Sequence, residues 1–154
     1  ELALATTEIM IGDGTGMVAA ALSGDVTMAN TGAVTIANDS ITFAKLGVEY
    51  TAATALTSAA TIAVDTALSD VFTFTAGHSF TLNFTNVGIG DVKTFQILAS
   101  GGSFTATLGT SNAAACTFNK ISGTYSDAAS AKNLIQIKWV AIDTAWYIIS
   151  QIAS

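Results

Sequence analysis

The chain has no proline, no arginine, one cysteine, one histidine and few charges of either sign, and each scarcity removes a class of function. Five lysines without arginine, against eleven acids and a net charge of −6, leave no basic surface for nucleic acid or an anionic membrane. A lone Cys116 excludes an intrachain disulfide and, set in Ala-Ala-Ala-Cys-Thr-Phe, reads as a small buried hydrophobe. A lone His78 cannot furnish a structural zinc site, which needs about four Cys or His ligands. No apolar run reaches the ~18 residues of a membrane span, and no secretory leader pattern is visible. The missing proline suits uninterrupted strand ladders, but it also removes one means of blunting a sheet edge.

What is present is unevenly placed. Of thirteen aromatic residues, only Phe43 and Tyr50 precede Val71, whereas Met10, Met17 and Met28 all lie near the start. The first third is Ala, Thr, Gly and Val, and an aromatic-rich core is expected to begin near Val71. The composition shift divides the chain into an extension over 1–47, a linker with a first strand over 48–70, and a globular head over 71–154.

Two tandem octads organise the extension. Gly24-Asp-Val-Thr-Met-Ala-Asn-Thr31 is answered by Gly32-Ala-Val-Thr-Ile-Ala-Asn38, with a looser echo in Ser40-Ile-Thr-Phe-Ala-Lys-Leu46. Each octad reads as a short alternating strand with Asn and Gly placed to turn the chain. Strands this slight do not hold shape alone, and two repeats are too few for a solenoid. Copies of the chain are therefore expected to intertwine, through Val26, Met28, Val34, Ile36, Ile41, Phe43 and Leu46. Upstream, Gly12-Asp-Gly-Thr-Gly16 lacks the Gly-Lys-Ser/Thr and the strand–helix frame of a phosphate loop, and a turn or a close backbone crossing is expected.

From Val71 the period is two. Phe72, Phe74 and Ala76 share one face, as do Phe80, Leu82 and Phe84, then Phe95, Ile97 and Ala99, then Phe104, Ala106 and Leu108. Thr61-Ile-Ala-Val64 forms an earlier strand, and the region 109–132 is looser. Ile135, Ile137, Trp139 and Ala141 point inward on a last strand, which turns near Asp143-Thr144 and returns through Trp146 to Ile149. Seven or eight such strands at this spacing imply an all-β fold, an antiparallel, jelly-roll-like β-sandwich.

Catalytic chemistry finds little support. No Gly-x-Ser-x-Gly elbow is present to place a nucleophile. Asp65, Asp70, Asp91, Asp127 and Asp143 fall at strand ends, where Asp serves turns more often than paired-acid hydrolysis. No cofactor is expected; calcium bridging those carboxylates at a seam between chains is the minor alternative, since Asp13 stands without the spaced carboxylates of a calcium loop. The sequons Asn38-Asp-Ser40 and Asn83-Phe-Thr85 read as accidental. Among Tyr125, Trp139, Trp146 and Tyr147, which could line a sugar-binding surface, Trp139 follows the inward alternation and Tyr147 is the better surface candidate, with ordinary packing the favoured role.

Two stretches carry a resemblance. Leu22 to Asn38, followed by Ile41 to Leu46, resembles a segment of bacteriophage tail-fibre and other virion structural proteins that precedes a C-terminal head domain, and Ile11 to Gly16 fits the same pattern. Phe80 to Asn86, Gly90 to Leu98, Gly101-Gly102 and Ile142 to Tyr147 are similar to a β-sandwich at the C-terminal end of phage fibre proteins. The closing hairpin departs from it, having a shorter turn without the expected glycine. The resemblance implies a non-enzymatic homotrimer on the virion surface or in another extracellular setting, contacting other virion proteins and a host surface glycan. Two readings compete with it: a filament subunit whose N-terminal strand adds to the next subunit's sheet, and a carbohydrate-active enzyme on a β-sandwich.

Overall fold

The computed structural model describes Leu4, Ala5 and residues 7–152, apart from the Phe43 side chain. The chain divides into two compact units, Glu1–Lys45 and Leu46–Ser154.

The first unit holds two hairpins. β1 (Glu8–Gly12) and β2 (Met17–Ala21) pair antiparallel around the Gly12–Gly16 run. There Asp13 Oδ1 accepts hydrogen bonds from the backbone N–H of Thr15 at 2.8 Å and of Gly16 at 2.7 Å, and from Thr15 Oγ1 at 2.9 Å. These bonds favour the carboxylate and hold Asp13 below its ordinary range. The glycine run is thus a side-chain-capped hairpin turn.

The octads supply β3 (Val26–Met28) and β4 (Val34–Ile36), which pair antiparallel with each other: Val26 opposes Ile36, Thr27 opposes Thr35, and Met28 opposes Val34. The matching glycines do the same work in both units of the repeat. Gly24 and Gly32 have φ of +81° and +83°, a backbone region that side-chain-bearing residues enter at a cost. The Lys45 ammonium pairs with Asp25 and donates to the Ser40 carbonyl, tying the short 3-10 turn Phe43–Lys45 back to the first octad.

The second unit opens with one helical turn, α1 (Val48–Thr51). Its strands are β5 (Thr54–Ala55), β6 (Thr61–Asp65), β7 (Val71–Ala76), β8 (Phe80–Thr85), β9 (Val92–Ala99), β10 (Ala106–Ser111), β11 (Ala114–Ala115), β12 (Thr117–Ser122), β13 (Lys132–Ala141) and β14 (Thr144–Ile152). They form a four-stranded sheet, β11-β10-β8-β6, and a six-stranded sheet, β12-β14-β13-β9-β7-β5.

This all-β unit is not the antiparallel sandwich that the strand spacing suggests. From β5 to β10 the chain alternates between the two sheets at every step. Each strand lies parallel to the one laid down a full turn earlier, β5 with β7 and β9, β6 with β8 and β10. That is the winding of a short two-sheeted β-solenoid. Antiparallel pairing within the unit is confined to β10 with β11 and to β13 with its neighbours β9 and β14. Residues 48–70 supply β5, β6 and the buried Ile62 and Val64.

Parallel stacking explains the core. Residues one turn apart fall side by side, so Phe72 stacks on Phe95 with ring centroids 5.2 Å apart. Ile62, Leu82 and Leu108 form a ladder in the smaller sheet. Across the interior, Phe74 meets Phe80 edge-on at 5.0 Å, and Phe84 meets Phe95 and Trp139 at 5.8 and 5.1 Å. Burying this many rings supplies most of the driving force for the unit. The corners are held from rung to rung: Asn86 Nδ2 donates to Asp65 at 2.8 Å, and the Asn112 amide brackets the Val87 backbone. One cation is taken inside. Lys93 is 7% exposed and donates to Asp70 at 2.6 Å.

Candidate functional site

His78 is exposed in the turn between β7 and β8, with Ser58 Oγ 3.4 Å from its Nδ1. That hydroxyl also accepts from Gly77 N–H at 2.8 Å, so it holds the turn. The strand-end carboxylates serve the backbone and their neighbours. Asp65 accepts from Ala67 N–H, Asp91 from Gly88 N–H, Asp127 from Phe104 N–H and Asp143 from the Thr144 hydroxyl, while Asp70 takes Lys93. No three of His, Cys, Asp and Glu gather at metal-binding distance among the described residues.

Two surfaces stand out instead. The first is the β3/β4 hairpin. Directly opposed residues of an antiparallel pair share a face, so Val26 with Ile36 and Met28 with Val34 make one apolar side, and Thr27 with Thr35 the other. Val34 and Ile36 are 59% and 55% exposed; Val26 and Met28 are half-buried. Of the remaining residues expected at an interface, Ile41 is exposed outside the hairpin, Leu46 is exposed and belongs to the second unit, and the Phe43 side chain lies outside the described residues. Four of the seven are therefore brought together. Within the described part of the first unit no hydrophobic residue is buried.

The second surface is a cleft of about 340 Å³ along β10, which the sequence reading did not find. β10 pairs with β8 on one side, but on the other β11 reaches only Thr110 and Ser111, so the edge at Ala106–Gly109 has no strand partner among the described residues. Because this sheet is two strands narrower than the one opposite, the inner side of β12 and β14 reaches past it. Ala106, Leu108, Phe118, Ile135, Tyr147 and Ile149 line the gap together with Thr107 and the Cys116 thiol. Burial, and then the nearby Asp143 carboxylate, hold that thiol above its ordinary range, so at neutral pH it stays protonated. The only hint in the sequence was the looseness of residues 109–132.

The same geometry separates the two rings of the last strand. Ala145 opposes the buried Trp139 and is itself buried, so Trp146 points outward, 50% exposed, and Tyr147 packs half-buried against the core. Tyr147 is partly exposed along the cleft, and Trp146 is the more exposed of the two rings. No protein-family model, no curated protein and no solved structure matches this chain.

Proposed function

We propose that this chain is a non-enzymatic structural subunit of a phage-like virion appendage, a tail or head fibre, that self-associates through its N-terminal unit. One observation carries the reading: the first unit has two-stranded hairpins and no buried hydrophobic residue among those described, whereas the second has a complete core. An isolated two-stranded hairpin is marginal in water. A compact unit that leaves Met17, Val18, Val34, Ile36 and Ile41 in solvent gains most by covering them with copies of itself. The fibre setting and the trimer come from the resemblance in Leu22–Leu46 and Phe80–Tyr147, and cyclic symmetry would close such contacts. In this reading a host surface glycan is met by Trp146.

Light scattering on the purified chain tests it. A mass of three chains supports the fibre, and deletion of residues 1–45 then yields a monomeric head whose melting is little changed. A monomeric full chain, or a truncated chain that keeps the trimer, overturns the reading. The filament reading has its own support in the open edge of β10, where an added strand would pair. Open-ended polymers of increasing mass would favour it.

A further inference from the structure

The narrower sheet is one triplet laid down three times. Ala60-Thr61-Ile62, Phe80-Thr81-Leu82 and Ala106-Thr107-Leu108 lie side by side, with Thr61 beside Thr81 and Thr81 beside Thr107. Thr61 and Thr107 are exposed and Thr81 is half-buried, while each following aliphatic residue packs in or against the core. The stack then stops with an unpaired edge at Ala106–Gly109 above an apolar cleft. The first unit holds the same triplet twice more, as Val26-Thr27-Met28 and Val34-Thr35-Ile36, without a core to bury them in. Neither partner carries charge: no Asp, Glu, Lys or Arg lines the cleft, and none occurs in Gly32–Asn38.

We propose that β4 of a second copy of this chain adds to the free edge of β10 as the next rung of the narrower sheet. Thr35 lies beside Thr107 and extends the outer threonine row, while Val34 and Ile36 enter the cleft over Leu108, Tyr147 and Ile149. The inference rests on self-association through the first unit and names where that unit docks. Three physical terms favour it. The unpaired backbone groups of an edge strand gain partners. Two exposed aliphatic side chains leave water. The alternation of β4 matches the pleat of β10 without placing a polar group in the cleft. A charged or bulky aromatic strand would satisfy the first term alone.

Cys116 lines the cleft and is the chain's one native cysteine, so it is the reporter. Full-length chains bearing Cys116→Ser with either Val34→Cys or Ile36→Cys are mixed with the native chain and oxidised with copper-phenanthroline. Mildly alkaline pH is used because the thiol is held above its ordinary range. Cross-linked peptides are then identified by mass. One of the two variants is expected to give a disulfide to Cys116 of the other chain at least about tenfold more than Thr35→Cys with Cys116→Ser, whose thiol faces outward. Equal yields from all three overturn the inference. An oligomer by light scattering with no such disulfide overturns the docking site but leaves self-association standing; a monomer overturns both. The native chain needs no substitution for a second measurement: amide exchange in the peptide covering Ala106–Gly109 slows by at least about tenfold as rising concentration assembles it. Unchanged exchange in an assembled sample also rules the site out.

Discussion

The two units of this chain use similar strands and reach opposite results. In both, apolar residues alternate with threonine, and in both a repeat returns the chain to the same register. In the second unit the chain swings across an interior at each corner, so Phe72, Phe84, Phe95 and Trp139 become fully buried. In the first unit the chain doubles straight back, β3 meets only β4 among the described strands, and Val34 and Ile36 remain in solvent. Side-chain volume separates them: Phe and Trp close an interior between two sheets, while Val and Thr on a lone hairpin do not. Alternation alone is therefore not enough for an independent fold; it needs a second layer to alternate against.

The sharpest way to break the contrast is to remove volume from the head. Phe84→Ala, which loses contacts to Phe95, Phe118 and Trp139, is expected to cost about 3–5 kcal/mol by chemical denaturation. A cost under ~1 kcal/mol would mean the core is not the unit's mainstay. Next comes the buried cation. Asp70→Ala leaves the Lys93 ammonium inside without its partner, at an expected cost of about 1–3 kcal/mol, discounted because Asp70 is partly exposed. Lys93→Met should recover much of that loss in the double variant.

Tyr125 gives a smaller, pH-dependent effect. Its hydroxyl is buried without a hydrogen-bond partner, and burial, then the Asp127 charge, raise its pKa above the ordinary tyrosine range. The unfolded chain therefore releases that proton first. The contribution is fully present below the unfolded pKa of about 10 and is lost as pH rises through the higher folded value. Tyr125→Phe is expected to melt at or above the native temperature near neutral pH and to lose less stability than the native chain in alkali. A steeper alkaline loss in the variant would contradict the shift.

The smallest effect on the folded monomer belongs to the first unit. Val34→Thr with Ile36→Thr should change the stability of the head by no more than ~0.5 kcal/mol, yet weaken self-association measured by sedimentation. If head melting falls while association holds, the division of labour between the units is wrong.

The faces of the strands were legible in the sequence because side chains alternate whatever the partner strand does. Phe72, Phe74, Phe80, Leu82, Phe84, Phe95, Ile97, Ile135, Ile137 and Trp139 all lie inside, as their spacing says. Thr61–Val64 is strand, and the Gly12–Gly16 run is a turn. Strand direction was not legible, since a period of two is the same for a strand that returns beside its predecessor and for one that crosses to the other sheet first. The last strand was ambiguous for a related reason. Trp146 and Ile148 alternate with Tyr147 and Ile149, both parities are apolar, and only the pairing of Trp139 with Ala145 decides between them.

The candidate surfaces divide in the same way. The octads, their turns and their want of bulk belong to the sequence by itself, because local repetition and side-chain size are written residue by residue. The free edge of β10 and the cleft beneath it were decided by the tertiary structure alone. An edge exists only once every other strand has taken its place, and here the chain runs on into the broader sheet before the narrower one is closed.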